Sequence, residues 1–287
     1  MSWLADWWFA PAPRERLATL RILVGLYAFV WVAVRIGELA TLSRLPPSHF
    51  HAVGIVFDQM SPDATIAVAI GTLALLAAFT LGLWYRYTAP LAALALLWVL
   101  SYRNAFGQVF HTENLVVLHV LALACAPAAD AYALSRARHP NPCGHGWALK
   151  LCIALTAATY LLAGVAKLRI AGFAWVDGDT LRNQIAVDNL RKALLGSWTA
   201  PLATPLLDHP AAFVAVSWLT LAIELGAPVA LLGGRIATLW AVGAWSFHVG
   251  VVLLMNIWFP YPLFGFAYLA LMPLERAYPW LRRRFSR

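Results

Sequence analysis

The chain has 287 residues, of which 62% are hydrophobic and only 12% charged, with a formal net charge of +8. A soluble domain is about 45–50% apolar and about 25% charged, so this chain lacks the polar groups needed to cover a water-facing surface. Its basic residues gather at the ends of apolar runs and in the last residues rather than in a free-standing basic domain, which points away from nucleic acid as a partner.

Met1 is followed by an aromatic segment, Trp3 to Phe9, with no basic lead and no apolar stretch of signal-peptide length. It reads as an interfacial segment before Pro11 and Pro13. Apolar runs then recur along the chain, each near the roughly 20 residues that a helix needs to cross a bilayer. They predict about eight spans, at 17–42, 63–84, 89–102, 112–126, 147–170, 211–232, 236–256 and 262–272, with Tyr85-Arg86-Tyr87 as a tight turn before the third. Lipid offers no partner for backbone N–H and C=O groups, so spans without strict alternation are helices. The predicted fold is therefore an all-α, polytopic integral membrane bundle forming a single domain over 1–287.

Residues 171–210 are too polar to cross. Within them Leu181, Ile185, Leu190 and Leu194 recur at near-helical spacing, which predicts interfacial or re-entrant helices forming an extramembrane cap. Arg14, Arg16, Arg86, Arg136, Arg138, Lys150, Arg235, Arg276, Arg282, Arg283, Arg284 and Arg287 fall on one side of this arrangement. The positive-inside rule then puts both termini in the cytoplasm of a multi-pass cell-membrane protein, with the cap outside.

Ionisable groups inside a bilayer are costly and mark functional sites. Arg35 and Glu38, three apart, read as an intrahelical pair. His111, Glu113 and His119 lie at or in the fourth run, Lys167 near the end of the fifth, Glu224 in the sixth and His248 in the seventh. Placing His111, Lys167, Glu224 and His248 around one internal polar cavity is the least costly arrangement. No metal is expected. His111-Thr-Glu113 looks like the H-x-E of zinc deaminases, but Pro142-Cys143-Gly-His145 lacks the second cysteine that such a site needs, and no H-E-x-x-H occurs. Cys125, Cys143 and Cys152 form no metal spacing and read as small packing residues.

The fifth run reads Tyr160-Leu-Leu-Ala163-Gly164-Val-Ala166-Lys167-Leu168, followed by Trp175-Val-Asp177-Gly178. Together with Leu20-Arg21-Ile22, Phe110-His111-Thr-Glu113-Asn114, Glu224-Leu-Gly226-Ala-Pro228, Phe247-His248 and Phe259-Pro260-Tyr261, this resembles the vitamin K-dependent γ-glutamyl carboxylases and their bacterial relatives, the horizontally transferred transmembrane domain (HTTM) proteins. The resemblance covers essentially the whole chain. It implies a carbon–carbon lyase chemistry in which a lysine acts as base on a reduced, lipid-soluble quinone. Oxygen converts the quinol to a strong alkoxide base, and a glutamate γ-carbon is deprotonated and carboxylated. The matching residues are Lys167 as base and His111 as stabiliser of the charged intermediate, with Tyr160, Trp175, Glu224 and His248 around the cofactor. An apolar pocket strips water from an ammonium and favours the free amine, the form that acts as a base.

Where the eukaryotic carboxylase has paired lysines, this chain has Ala166-Lys167, and its 287 residues hold no counterpart of the large propeptide-binding domain. The expected partners are the lipid bilayer, a lipophilic quinol, and a secreted peptide or small-molecule substrate. The alternatives are a non-enzymatic membrane factor for maturation or export of a secreted peptide, and a transporter for a small solute or lipid.

Overall fold

The computed structural model describes residues 3–109, 111–135 and 143–276, without the side chains of His111 and Cys143. Phe110, Arg136, Arg138, Pro142 and the arginines at 282–287 lie outside the described residues. The chain divides into two compact units, Met1–Cys152 with Met272–Arg287, and Ile153–Leu271.

The first unit holds α1 (Trp3–Trp8), α2 (Arg14–Ala33), α3 (Ile36–Leu42), α4 (Pro62–Leu81), α5 (Tyr85–Asn104), α6 (Asn114–Ala124) and the first part of α7 (Cys143–Ala171). The second holds the rest of α7, then α8 (Asp179–Leu194), α9 (Ala203–Leu207), α10 (Pro210–Leu225), α11 (Gly234–Met255) and α12 (Pro260–Leu263). Among the described residues there is no β-strand. Among the described residues, four helical stretches are long and apolar enough to cross a membrane: Arg14–Ala33, Pro62–Leu81, Gly144–Trp175 and Gly234–Met255.

The other apolar runs are short or interrupted, for local reasons. The run at 17–42 breaks at Val34 and Arg35, where Arg35 leaves helical geometry and α3 begins anew. The tight turn falls earlier than Tyr85-Arg86-Tyr87, at Gly82 and Trp84, whose φ angles are +65° and +43°, so α5 starts at Tyr85 and is a full 20 residues long. The fourth run yields the 11-residue α6. Beyond α10 the sixth run continues only as a 3-10 stretch, Ala227–Leu232, because Pro228 has no N–H to give to an α-helix. The last run is split by Gly265 at φ +82° into α12 and the 3-10 turn Phe266–Leu271.

In the first unit α2 packs on α4 through Gly25, where an added Cβ would lie 2.9 Å from Phe79 Cδ1. Helix α4 has strong punctuation: the Ser61 hydroxyl accepts from Ala64 N–H at its start, Pro62 follows, and Gly82 closes it in the left-handed conformation. Arg21 on α2 is fully buried, and its guanidinium donates to the carbonyls of Ala128 (2.8 Å) and Tyr132 (2.5 Å) in the turn that follows α6. Gly82 is needed here twice, for its φ and because a Cβ would stand 2.8 Å from Arg21 Nη1. The Tyr85 hydroxyl donates to Leu123 O at 2.8 Å, so α5 also satisfies a carbonyl near the end of α6.

In the second unit the expected cap residues are helical. α8 contains all four of the residues at near-helical spacing, Leu181, Ile185, Leu190 and Leu194, and Ile185 packs with Ala200, Ala203 and Phe213 in a small buried core. Gly178, at φ +85°, starts α8 against the backbone of α10: an added Cβ would meet Val214 N at 2.7 Å and Phe213 C at 2.9 Å. The last carbonyls of α11 are also satisfied from this region. Asn189 Nδ2 donates to Leu254 O (2.9 Å), Leu202 N to Leu253 O (3.0 Å), and Lys192 Nζ to Met255 O.

Arg16 grips Glu275 with two bonds, Nε to Oε2 at 2.8 Å and Nη2 to Oε1 at 2.7 Å. These bonds hold the Glu275 carboxyl below the usual carboxylate range, against an opposing effect of burial. A depressed carboxylate stabilises the fold fully above its unfolded pKa, and the contribution disappears as pH falls through the folded value. Glu275→Gln is therefore expected to lower the thermal midpoint at pH 7, and the gap to wild type should narrow as pH falls below the ordinary glutamate range. A gap that keeps its size as pH falls, in detergent-solubilised protein, would contradict this linkage.

Candidate functional site

In the second unit, Tyr160, Gly164 and Lys167 recur at spacings of four and three on α7 and so share one face. Gly164 lets α10 come close: a Cβ there would lie 2.9 Å from Glu224 Cβ and 3.0 Å from Leu225 Cδ2. That approach brings Glu224 under Lys167, whose Nζ donates to Glu224 Oε1 in an ion pair. The glutamate side chain is 2% exposed and the lysine 21%, so the pair has one end sealed in the protein and one end open. Lys167 Nζ also lies 5.3 Å from the centre of the Trp175 indole ring, within cation–π reach.

A cavity of about 260 Å³ adjoins this pair, lined by Ala166, Lys167, Ile170, Ala171, Trp175, Thr180 and Gln184. The Trp175-Val-Asp177-Gly178 motif thus has two physical reasons. Trp175 is the aromatic wall beside the lysine, and Gly178 is the only residue type that fits both the φ and the contact with α10.

Tyr160 and His248 meet in the same unit. The Tyr160 hydroxyl is 2.7 Å from His248 Nε2 and 2.5 Å from the Tyr268 hydroxyl. Trp240 packs edge-on to Tyr160, and Phe247 and Phe259 flank the His248 ring. Glu224 Oε2, His248 Nδ1, Ser217 Oγ and Trp175 Nε1 are buried atoms of this unit with no hydrogen-bond partner. Buried polar atoms are ordinarily satisfied, and the first unit holds three further such atoms, Arg21 Nε, Arg35 Nε and Gln59 Oε1.

The first unit contains a different cluster. Glu113 accepts from Trp31 Nε1 (3.0 Å), Arg35 Nη2 (3.0 Å) and Arg103 Nη1 (2.6 Å), and Arg103 Nε donates to Glu38 (2.7 Å). Arg35 and Glu38, expected as a self-contained pair, are 3.9 Å apart, and each makes its shorter bond to another element. The break between α2 and α3 turns them away from simple i,i+3 geometry. His111 begins the 3-10 turn that carries Glu113, and its side chain lies outside the described residues. His119 Nε2 is 3.1 Å from Cys152 O, a contact that ties α6 to α7, and His145 Nε2 is 2.9 Å from Asp130 Oδ2.

Of the residues singled out in the sequence, the structure joins Lys167 to Glu224 and Trp175, and Tyr160 to His248. Tyr268 and Ser217 were missed: each sits in an apolar run, where a hydroxyl gives no signal of its own. Arg103 lies one residue past the predicted end of the third run at 102, and α5 extends to Asn104 and carries it.

The composition, the helices of membrane length and the buried ion pairs define an all-helical membrane protein. The HTTM domain family matches residues 9–280, nearly the whole chain, and the chain belongs to that family. No curated protein and no solved structure matches it.

Removing one partner of a buried ion pair leaves a charge without compensation, which costs more than removing both. Glu224→Leu alone is expected to destabilise the protein by about 2–3 kcal/mol, below the roughly 3–5 kcal/mol of a fully buried pair because Lys167 keeps some exposure. The double variant Lys167→Met with Glu224→Leu should recover much of that loss. Additive losses in thermal or denaturant unfolding would show that the two side chains do not interact.

Proposed function

We propose that this protein is a membrane enzyme in which Lys167 is the base toward a lipophilic quinol-type cofactor, in line with its resemblance to the carboxylases. The observation that carries the reading is the Lys167–Glu224 pair beside a small, aromatic-walled cavity. Flat walls from Trp175 and small or aliphatic ones from Ala166, Ile170 and Ala171 suit a ring, and Lys167 offers a polar contact at its edge. The volume is just under the ~300–1,000 Å³ of sites that hold a whole ligand, so it suits a head group and not a long tail. Bound there, a quinol supplies an acidic ring hydroxyl and the electrons for reaction with oxygen.

The chain's own part is proton handling. A proton taken up by the Lys167 amine makes an ammonium, and the Glu224 carboxylate neutralises it on its buried side. Uptake turns a lone carboxylate into an ion pair and leaves the negative charge on the oxygen that gave up the proton, so the total charge of the site does not change. Trp175 adds its ring face to the cation. The alkyl walls exclude water from the reacting oxygen. His111 is assigned to charge stabilisation by the family resemblance alone, and both termini are assigned to the cytoplasm by the distribution of basic residues.

A base must release its proton, and a guanidinium does not do so near neutral pH. Lys167→Arg is expected to insert with unchanged helicity and to turn over added quinol at least about 10²-fold more slowly. Full activity in that variant would remove the base role. For the topology, a cysteine placed at Asp188 should react with a membrane-impermeant maleimide from outside the cell. Labelling only from the cytoplasm would reverse the orientation.

A further inference from the structure

One face of α7 carries an ordered run of polar contacts. Thr156, Tyr160, Gly164 and Lys167 follow one another at spacings of four, four and three, so they share one side of the helix. Thr156 Oγ1 donates to Ala267 O at 3.0 Å. Tyr160, one turn on, meets Tyr268 and His248 through its hydroxyl. Gly164, one turn further, takes Glu224 against it, and Lys167 then bonds the Glu224 carboxylate. Tyr160 and Glu224 therefore occupy successive turns along α7. Trp240 of α11 ties them together. Its ring packs edge-on to Tyr160 with centroids 5.3 Å apart, and its Nε1 donates at 2.9 Å to the carbonyl of Ile223, the residue before Glu224. The Glu224 carboxylate acts electrostatically on the Tyr160 hydroxyl. Tyr268 approaches Tyr160 from the side away from Lys167, since its neighbour Ala267 is held at Thr156.

Tyr160, Tyr268 and His248 are all buried, and none of them lines the Lys167 cavity. A hydroxyl has one proton to give, so the Tyr160 hydroxyl, bonded on both sides, can complete the chain in two ways. In one, Tyr268 donates to Tyr160 and Tyr160 to His248 Nε2, with the imidazole proton on Nδ1. In the other, Nε2–H donates to Tyr160 and Tyr160 to Tyr268, with Nδ1 bare. A proton entering at Nδ1 while another leaves the Tyr268 hydroxyl converts the second arrangement into the first. Each side chain gains one proton as it loses another, and no electron is transferred. Rotation of the hydroxyls and exchange of the imidazole tautomer restore the start. His248 Nδ1 has no partner and is the open end of this chain; Glu224 Oε2 is likewise the open end of the ion pair.

We infer that His248, Tyr160 and Tyr268 form a proton relay that empties Lys167 between turnovers, by a route leading away from the cavity and toward the start of α7. The relay rests on the proposed function, in which each turnover leaves one proton on the Lys167 amine. The cavity is the open side of the ion pair, and a head group seated there closes it. The ammonium therefore passes its proton to the Glu224 carboxylate, which restores the free amine and makes a neutral carboxyl group. A water bonded to both Glu224 and His248 Nδ1 carries that proton to the imidazole, and the carboxylate re-forms. One proton then leaves at Tyr268. The three relay residues touch neither cofactor nor substrate and act through Glu224.

One test needs no quinol. Infrared difference spectra of the full chain in phosphatidylcholine liposomes, recorded through a pH titration, should show a protonated-carboxyl band that Glu224→Gln removes. Tyr160→Phe keeps the buried ring and deletes only the hydroxyl, and it should shift that band. Absence of the band, or a band that Tyr160→Phe leaves in place, would overturn the relay. The other test is stopped-flow turnover of a prenylated naphthoquinol with oxygen. Tyr268→Phe should keep the first turnover within about twofold of wild type and slow the later ones about tenfold or more, because the first proton finds Lys167 free and the next does not. An unchanged steady state would overturn the relay, and so would equal slowing of the first turnover, which is what a packing defect gives. If Tyr268→Phe does not fold, fluorotyrosine at position 268 replaces it; this keeps the hydroxyl, makes it more acidic and should change the later turnovers alone. Full turnover in Lys167→Arg would sink the base role and leave the infrared result to judge the chain. Loss of turnover in Lys167→Arg beside an unimpaired Tyr268→Phe would sink the relay alone.

Discussion

A charge moved out of water must take its partners with it, and most of the specific geometry of this protein follows from that constraint. Arg21, a fully buried side chain, is held by carbonyls of the turn after α6, and the turn needs Gly82 to make room. Glu113 gathers an indole and two guanidinium groups from three separate segments. Lys167 meets Glu224 only because Gly164 removes the side chain that would keep α10 away. In each case small residues and helix breaks lie where a charge needs its counterpart.

The two ion-pair clusters obey the same electrostatics but differ in the chemistry they allow. Arg35 and Arg103 hold a permanent positive charge, so their network with Glu38 and Glu113 is a fixed brace. A lysine and a carboxylate can exchange and release a proton, and Lys167 and Glu224 adjoin a cavity while the other carboxylate oxygen has no partner. The Tyr268–Tyr160–His248 chain lies in the same unit, two helical turns along α7, and carries a further buried nitrogen without a partner. Unmet hydrogen bonds occur in both units, since Arg35 Nε of the Glu113 cluster is also buried without a partner, but the groups that can release a proton beside a cavity lie in the second.

Much of this was legible in the sequence because lipid removes alternatives. The lack of charge excluded a soluble fold, and the spacing of Leu181, Ile185, Leu190 and Leu194 located α8. Gly164, one turn before Lys167, is the kind of small residue that a close helix approach requires. What was not legible depended on contacts distant along the chain. Arg35 and Glu38 looked like a local pair because sequence spacing assumes an unbroken helix, and Val34–Arg35 breaks it. Glu224 and Lys167 were each noted, but their pairing is a tertiary fact; opposite charges in two apolar runs were the one available hint. The run lengths misled where Pro228 and Gly265 interrupt α-helical geometry without interrupting hydropathy.

The central claim is that the Lys167 cavity holds the head of a lipophilic quinone, and the most direct measurement is mass spectrometry of organic extracts from the purified protein. The account predicts a quinone retained above its abundance in the surrounding membrane, and its loss from an Ala166→Trp variant whose new side chain fills the cavity. Wild-type protein free of quinone, or equal retention when the cavity is filled, would contradict it.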